Sequence, residues 1–213
     1  MGDHFVSPEI GENMSSESCS HAQSSDAAKR ELEEIALQGR MRDIGMKLLV
    51  MSGKGGVGKS TVAANLAVSL AEAGKKVGLL DVDVHGPSIP TLMGLQGQKV
   101  GTDGPELIPL ELTENLKIMS VGFLLDNPAD AVVWRGPMKY SVIKQFLADV
   151  DWGRLDYLVI DSPPGTGDEP LAVAQLVGEP AAAIIVTTPQ ELALSDVRRS
   201  VSFCKMLNLP VLG

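Results

Sequence analysis

GKGGVGKS, residues Gly53 to Ser60, fits the pattern G-x-x-x-x-G-K-[ST] of a phosphate-binding loop. An apolar run from Lys47 to Met51 precedes it and is typical of a buried strand. A helical pattern follows as far as Ala73, where Gly74 is suited to end a helix. Because this order of strand, loop and helix is the context that the motif requires, the segment predicts an α/β nucleotide-binding fold.

The loop carries groups that bind phosphate. Its glycines allow several backbone N–H groups to face one concavity, and the start of the following helix adds a positive dipole end. Lys59 is expected to reach the β- and γ-phosphates, and the Ser60 hydroxyl is expected to ligate Mg²⁺. The predicted nucleotide-binding residues are Gly53, Lys54, Gly55, Gly56, Val57, Gly58, Lys59, Ser60 and Thr61.

Lys54 is a second lysine in the loop, at a position that the general pattern leaves open. Its charge could serve the phosphates of its own site or those of a partner's site. A cation supplied across an interface accelerates related phosphoryl transfers by about 10³ to 10⁵. The alternative is a solvated loop lysine. We therefore predict a catalytic role for Lys54 beside that of Lys59.

Strand and helix patterns alternate along the rest of the chain, which predicts βαβ units in a doubly wound, mostly parallel sheet with helices on both faces. Two short runs, Glu106–Leu110 and Leu116–Val121, interrupt this order and favour a small peripheral β-hairpin within residues 100–125. The other predicted strands are Lys76–Val82, Asp156–Asp161 and Ala181–Thr187, and the other predicted helices are Met138–Val150, Glu169–Val177 and Glu191–Leu207.

Three parts are predicted along the chain. Residues 1–25 are rich in serine and poor in large apolar residues, so we expect a mobile tail. Residues 26–45 predict an exposed amphipathic helix, and residues 46–213 predict the phosphate-loop domain. Pro210 to Gly213 has the character of a strand that is just beginning, so we expect the C-terminal part of this domain to be missing. The apolar residues at helical spacing in the N-terminal helix are Leu32, Ile35 and Ala36.

Two aspartates, Asp81 and Asp83, stand at the end of the second strand. The carboxyl ends of parallel strands open onto the ligand crevice of such a sheet. We predict that Asp83 orients the attacking water, and that Asp81 shapes the site or belongs to the Mg²⁺ water shell. The alternative is that both are turn-forming aspartates before Gly86 and Pro87. His85 is a candidate switch residue, although an ordinary loop residue is the favoured interpretation.

A second carboxylate motif, Tyr157-Leu-Val-Ile-Asp161, has the Walker B pattern, in which an apolar strand delivers an aspartate to the Mg²⁺ shell through a water. Residues Ser162–Asp168 follow and are called the switch segment below. Its prolines restrict the backbone and its glycines allow it to move, so we predict that it senses the γ-phosphate. The residues assigned to this role are Pro164, Gly165, Thr166, Gly167 and Asp168.

Composition narrows the function classes. The 213 residues include 18 Lys and Arg against 27 Asp and Glu, and the net charge of −9 disfavours broad binding to nucleic acid. The longest apolar run, Ala181 to Val186, is much shorter than the ~18 residues that a membrane span requires. No charged-then-apolar leader follows Met1. We expect a cytoplasmic protein with no nucleic-acid or membrane partner.

Lys54-Gly-Gly-Val-Gly-Lys59 resembles the deviant Walker A motif of the MinD/ParA class of P-loop ATPases. Within that class, the chain resembles the Mrp (ApbC-type) iron–sulfur cluster carriers over residues 28–213. The other segments that carry this resemblance are Asp81-Val-Asp-Val-His-Gly-Pro-Ser88, Trp134-Arg-Gly-Pro-Met138, Asp151-Trp-Gly153 and Asp161-Ser-Pro-Pro-Gly-Thr166.

The resemblance implies an ATP- and Mg²⁺-dependent homodimer with nucleotide at the interface, in which Lys54 acts across the dimer. It implies hydrolysis of ATP to ADP and phosphate. It also implies transfer of a [4Fe–4S] cluster to apo iron–sulfur proteins, with assembly scaffolds as further partners.

One feature departs from the family pattern. The family binds its cluster through a C-x-x-C pair located beyond the position of Gly213, and the chain contains no such pair. Cys19 in the tail and Cys204 in a helical pattern cannot replace it, so no cluster ligand is predicted among these residues. The alternative function is an ATP-switched positioning protein or a regulatory ATPase without a cluster. A positioning protein would need a basic DNA-binding face or an amphipathic membrane tail, and neither is visible.

Overall fold

The computed structural model describes residues 31–84, 86–124 and 136–213. The chain divides into two units, residues 1–35 and residues 36–213. Residues 31–42 form helix α1. The described residues do not include the predicted tail, residues 1–25. They also do not include the first part of the predicted N-terminal helix, residues 26–30.

The remaining elements are named in chain order. They are β1 (Ile44–Met51), α2 (Lys59–Glu72), β2 (Val77–Asp81), α3 (Ile89–Leu92), β3 (Gly101–Asp103), β4 (Glu106–Ile108), β5 (Leu110–Thr113), β6 (Leu116–Ser120), α4 (Gly136–Ala148), β7 (Leu155–Asp161), α5 (Asp168–Leu176), β8 (Ala181–Ile185) and α6 (Glu191–Met206).

The main sheet has six strands in the order β5-β6-β2-β7-β1-β8, and every neighbouring pair except β5–β6 is parallel. Strands β1, β2 and β7 are apolar on both faces, as strands covered by helices on each side must be. The predicted mostly parallel α/β sheet is therefore confirmed. Its register pairs Asp81 with Asp161 across β2 and β7, so both carboxylates lie at the carboxyl edge of the sheet.

The antiparallel insertion differs from its predicted form. Strands β3 and β4 pair in a small separate sheet, and β5 pairs antiparallel with β6. An antiparallel hairpin is therefore present in this region, but its paired strands differ from the predicted runs Glu106–Leu110 and Leu116–Val121. β6 also lies parallel to β2, so this strand belongs to the main sheet as well as to the hairpin. The physical reason is that β6 carries apolar residues toward both faces and can be buried there, as Leu116, Ile118 and Met119 are.

Two element boundaries matter for the ends of the domain. β1 begins at Ile44 rather than at the predicted Lys47, because Ile44 is buried and already pairs with Leu155. At the other edge, the N–H of Ala183 donates to the carbonyl of Pro210 at 2.7 Å and the N–H of Leu212 donates to the carbonyl of Ala183 at 2.9 Å. The strand character expected for the last residues is therefore present, parallel to β8.

No helix within the described part of the chain combines the length and the apolar character needed to cross a membrane.

Within residues 36–213, a buried lysine connects the last turn of α1 to the main sheet. Lys47 on β1 is fully buried, and its Nζ donates to the carbonyls of Met41 at 3.0 Å and Glu179 at 3.1 Å. Burial lowers the pKa of Lys47 because it disfavours the charged form. The two carbonyl contacts partly offset this cost, since they satisfy the ammonium group without a carboxylate.

We expect the difference in the free energy of unfolding between the wild type and Lys47→Met to depend on pH. As the pH rises toward the ordinary pKa of lysine, the wild type should become more stable relative to the variant. The unfolded chain binds more protons at Lys47 than the folded chain over this range, so deprotonation favours folding. Urea unfolding of both proteins at pH 7.5 and pH 10 measures the difference, and Lys75→Met, at an exposed lysine, is the control. A stability difference that falls with pH would contradict the expected sign.

Candidate nucleotide-binding site

A cleft of about 360 Å³ opens at the carboxyl edge of the main sheet. It brings the phosphate loop together with Asp83 and Pro164, which are distant in sequence. Four lining residues, Ser52, Gly86, Ser88 and Leu92, were not among the predicted site residues. The lining consists of Ser52, Gly55, Gly56, Gly58, Lys59, Ser60, Thr61, Asp83, Gly86, Ser88, Leu92 and Pro164.

The phosphate loop has the backbone of an anion-binding turn. Gly56 and Gly58 have φ angles of 77° and 91°, in the left-handed region that favours glycine. Helix α2 begins at Lys59 directly after Gly58, and no side chain caps its first N–H groups. These donors and the positive end of the helix dipole are therefore available to an anion in the cleft.

Gly53 is required by packing as well as by the loop. A Cβ atom at this position would approach the Cβ of Asp196 to 2.5 Å and its carbonyl carbon to 2.7 Å. Helix α6 therefore lies directly on the first residue of the phosphate loop, and no side chain larger than hydrogen fits between them. The sequence carries no local signal for this contact.

Lys59 and Asp161 form a buried ion pair in the floor of the cleft. The Nζ of Lys59 lies 2.5 Å from Oδ1 of Asp161, and the two side chains are 7% and 0% exposed. Burial raises the pKa of Asp161, and the charge and hydrogen bond of Lys59 oppose that rise. Sequence reasoning assigned these residues separately, to phosphate and to Mg²⁺. The structure places them in direct contact.

Asp161 fits a role in holding Mg²⁺. Its Oδ2 is buried, and it has no hydrogen-bond partner in the structure as described. The hydroxyl of Ser60, the predicted direct Mg²⁺ ligand, lies 3.3 Å from the hydroxyl of Ser88. Carboxylate and hydroxyl oxygens are the donors that Mg²⁺ prefers. The donor set of the cleft is therefore compatible with the predicted metal ion.

Asp81 organises the loop above the cleft. Its Oδ1 accepts the N–H of Asp83 at 3.1 Å, and its Oδ2 accepts the N–H of Ile89 at 3.2 Å and the hydroxyl of Ser120 at 3.0 Å. Burial, followed by the charge of Asp161, raises the pKa of Asp81 to about 7, and these hydrogen bonds oppose the rise. Because protein donors contact both oxygens, the structure favours shaping of the site over a place in the Mg²⁺ shell. Sequence reasoning did not identify Ser120.

The two other predicted catalytic residues differ in position. Asp83 lines the cleft and is half-buried. Lys54 is half-buried but does not line the cleft of its own chain, and it forms no hydrogen bond or ion pair with other residues that the structure describes. His85 lies outside the described residues.

The switch segment is joined to the strand that precedes the phosphate loop. The N–H of Gly165 donates to the carbonyl of Ser52 at 2.8 Å. Pro164 lines the cleft, whereas Thr166, Gly167 and Asp168 do not. Gly167 is the residue before α5, so the segment leads directly into that helix.

No cluster of three or more metal-binding side chains occurs among the residues described. Cys204 is fully buried beside the sulfur of Met51 at 3.9 Å, and burial raises the pKa of its thiol. Such a thiol is a structural, unreactive group. Cys19 lies outside the described residues. The part of the chain that the structure describes therefore contains no group of side chains that could ligate an iron–sulfur cluster.

Comparison with known proteins decides the family. The model of the ParA family, described as NUBPL iron-transfer P-loop NTPase, matches residues 43–213. The chain belongs to this family. Its membership confirms the resemblance to iron–sulfur carriers of the MinD/ParA class that the motifs indicated.

One curated relative of this NUBPL-type NTPase is the cytosolic Fe-S cluster assembly factor NUBP2 homolog of Trichoplax adhaerens. The two are 55% identical over 170 residues, which cover 78% of this chain and 64% of the relative. The chain thus spans less than two thirds of the length of that relative.

Solved structures agree with the family. A nucleotide-binding protein from Archaeoglobus fulgidus in complex with ADP is 45% identical, with a TM-score of 0.73 over 84% of this chain and 69% of that chain. The septum site-determining protein MinD from Pyrococcus horikoshii, complexed with Mg-ADP, is 28% identical, with a TM-score of 0.58 over 80% of this chain and 68% of that chain.

Proposed function

We propose that the protein binds Mg·ATP in this cleft and hydrolyses it to ADP and phosphate, as the nucleotide-dependent part of an iron–sulfur cluster assembly factor. The observation that carries the proposal is the phosphate loop with Lys59 and Asp161 paired at 2.5 Å beneath it. Family membership and the ADP complex of the Archaeoglobus relative support the choice of nucleotide.

Each residue of the cleft has a separate role in the proposed reaction. In the proposed complex, Lys59 exchanges its contact with Asp161 for the β- and γ-phosphates. Asp161 and Ser60 are then the residues that hold Mg²⁺, which neutralises charge on the phosphates. Asp83 orients a water molecule whose oxygen bonds to the γ-phosphorus while the bond from that phosphorus to the ADP oxygen breaks, and the protons of this water leave with the phosphate product. The switch segment responds to the loss of the γ-phosphate.

The active form is proposed to be a homodimer. Apolar side chains are exposed both in the cleft lining and on the helix that contacts the phosphate loop. Leu92, in the cleft lining, is 46% exposed, and Leu194, on the helix that covers Gly53, is 44% exposed. A second copy that covers this face would bury them, and its Lys54 would then be near the phosphates of the first copy.

The cargo is proposed to be a [4Fe–4S] cluster destined for apo iron–sulfur proteins, with assembly scaffolds as the source and the cytosol as the location. The description of the family and the name of the Trichoplax relative support this assignment. Deleting the gene should lower the activities of cytosolic [4Fe–4S] enzymes, and a copy carrying Lys59→Ala should fail to restore them. Unchanged enzyme activities would overturn the cargo assignment while leaving the ATPase proposal intact.

We expect Asp83→Asn to lower the rate of ATP hydrolysis by at least about 100-fold, the range of effect of a positioned general base. The Mg·ATP dissociation constant should change by less than about threefold, because Asp83 touches the water rather than the phosphates in the proposed complex. Phosphate release and fluorescent-nucleotide titration measure the two quantities. Asp103→Asn, at an exposed aspartate of β3, is the matched control. Hydrolysis by Asp83→Asn at the wild-type rate would refute the assigned role.

A further inference from the structure

A second cavity lies beside the nucleotide cleft. It has a volume of about 320 Å³, and the two share Pro164 in their linings. Its walls come from three elements: Lys139 and Tyr140 at the start of α4, the switch segment, and the first residues of α5. The cavity therefore marks the place where the switch segment meets a helix that has no residue in the nucleotide cleft.

An ion pair crosses this junction. The Nζ of Lys139 contacts Oε1 of Glu169, and the two side chains are only 16% and 20% exposed. The Lys76–Glu114 pair, by comparison, has side chains that are 49% and 92% exposed. Charges withdrawn from water interact more strongly and hold a more definite geometry than charges on the surface. The Lys139–Glu169 pair is therefore able to fix the distance between the two helices.

The position of Glu169 is coupled to the switch segment through the backbone. Glu169 is the second residue of α5, which begins at Asp168, the last residue of the segment. The N–H of Gly165 is in turn bonded to Ser52, which lines the nucleotide cleft. A displacement of the segment thus moves the first turn of α5 and, through the ion pair, the first turn of α4. The two helices also pack against each other.

We propose that the Lys139–Glu169 ion pair transmits the nucleotide state of the cleft from the switch segment to the first turn of α4. The pair also acts in the reverse direction, as positioning residues that hold the segment in place for hydrolysis. This inference rests on the proposed function. The first turn of α4 exposes Met138 at 50% and Tyr140 at 44%, so the transmitted movement reaches the surface of the domain.

Hydrogen exchange with and without a slowly hydrolysed ATP analogue tests the transmission. In the wild type, nucleotide should reduce exchange in the phosphate loop, in residues 162–168 and in residues 136–148. Glu169→Gln and Lys139→Met should keep the response of the loop and of residues 162–168, and should lose at least half of the response in residues 136–148. Lys76→Met, which breaks the exposed pair at the other edge of the sheet, should retain all three responses.

Steady-state hydrolysis tests the positioning role. Either single variant should lower kcat by about three- to tenfold, with KM for ATP within about twofold of the wild type, because the cleft residues are unchanged. The exchanged pair Lys139→Glu with Glu169→Lys should recover part of kcat and part of the α4 response. A merely structural role would lower the melting temperature without this selective loss and recovery.

The outcomes separate the inference from the proposed function. If the phosphate loop of the wild type shows no nucleotide response, nucleotide binding fails and the inference fails with it. If the loop responds but both single variants keep the wild-type response in residues 136–148, the inference alone is overturned.

Discussion

Replacing Lys59 with alanine is expected to weaken Mg·ATP binding by at least about 100-fold. Lys59 is proposed to contact two phosphate groups, and each hydrogen bond to a charged group contributes about 1.5–3 kcal/mol. The two contacts together are therefore worth at least about 3 kcal/mol, and each 1.4 kcal/mol corresponds to a factor of ten in affinity. Lys59 is the one cation that lines the cleft in the part of the chain that the structure describes, so no neighbouring side chain can take over its contact with the phosphates. Calorimetric titration of the nucleotide-free protein measures the change.

The second contact of Lys59 makes a matched variant necessary. Removing its charge leaves Asp161 buried without a counter-ion, and breaking a buried pair costs about 3–5 kcal/mol of folding stability. Lys59→Gln can still donate a hydrogen bond to Asp161 and should lose less stability in urea unfolding than Lys59→Ala, yet it should bind nucleotide equally poorly. Lys75→Ala, at an exposed lysine after α2, should bind normally. An affinity of Lys59→Ala within threefold of the wild type would refute the phosphate-loop assignment.

Replacing Lys54 with alanine is expected to lower single-turnover hydrolysis by about 10³-fold or more, the effect of a cation supplied in trans to related phosphoryl transfers. Mg·ATP affinity of the separate chain should change by less than about threefold, because Lys54 does not line the cleft of its own chain. Lys205→Ala, on the last turn of α6, is the control. If Lys54→Ala hydrolyses ATP at the wild-type rate, the catalytic role is refuted and Lys54 is a solvated loop lysine.

Mixing two inactive variants shows whether Lys54 acts across the dimer. In a mixed dimer of Lys54→Ala and Asp83→Asn, the site with the intact Asp83 receives Lys54 from the other subunit. A one-to-one mixture should therefore recover about one quarter of wild-type hydrolysis, since half of the dimers are mixed and each of these has one complete site. If Lys54 acted within its own chain, neither site of the mixed dimer would be complete and the mixture would stay inactive.

The local patterns were sufficient to predict the mostly parallel sheet and the edge of that sheet at which the phosphate loop lies. The apolar runs before Gly53 and Asp161 are typical of buried strands, and parallel strands present their carboxyl ends at one edge. That reasoning correctly brought the phosphate loop to the edge of the sheet where Asp81 and Asp161 end their strands. This prediction succeeded because hydrophobic periodicity, turn residues and strand direction are properties of short segments.

Tertiary packing decided the contacts between distant segments. Lys59 meets Asp161 across 102 positions of sequence, α6 approaches Gly53 too closely for a side chain, and Lys139 meets Glu169 beside the switch segment. It also placed β6 in the main sheet, where the sequence predicted a peripheral hairpin. These contacts depend on which helix covers each face of the sheet and on which strand lies at its edge. The free-energy differences between these alternative packings arise from residues throughout the core, so no local sequence pattern encodes the outcome.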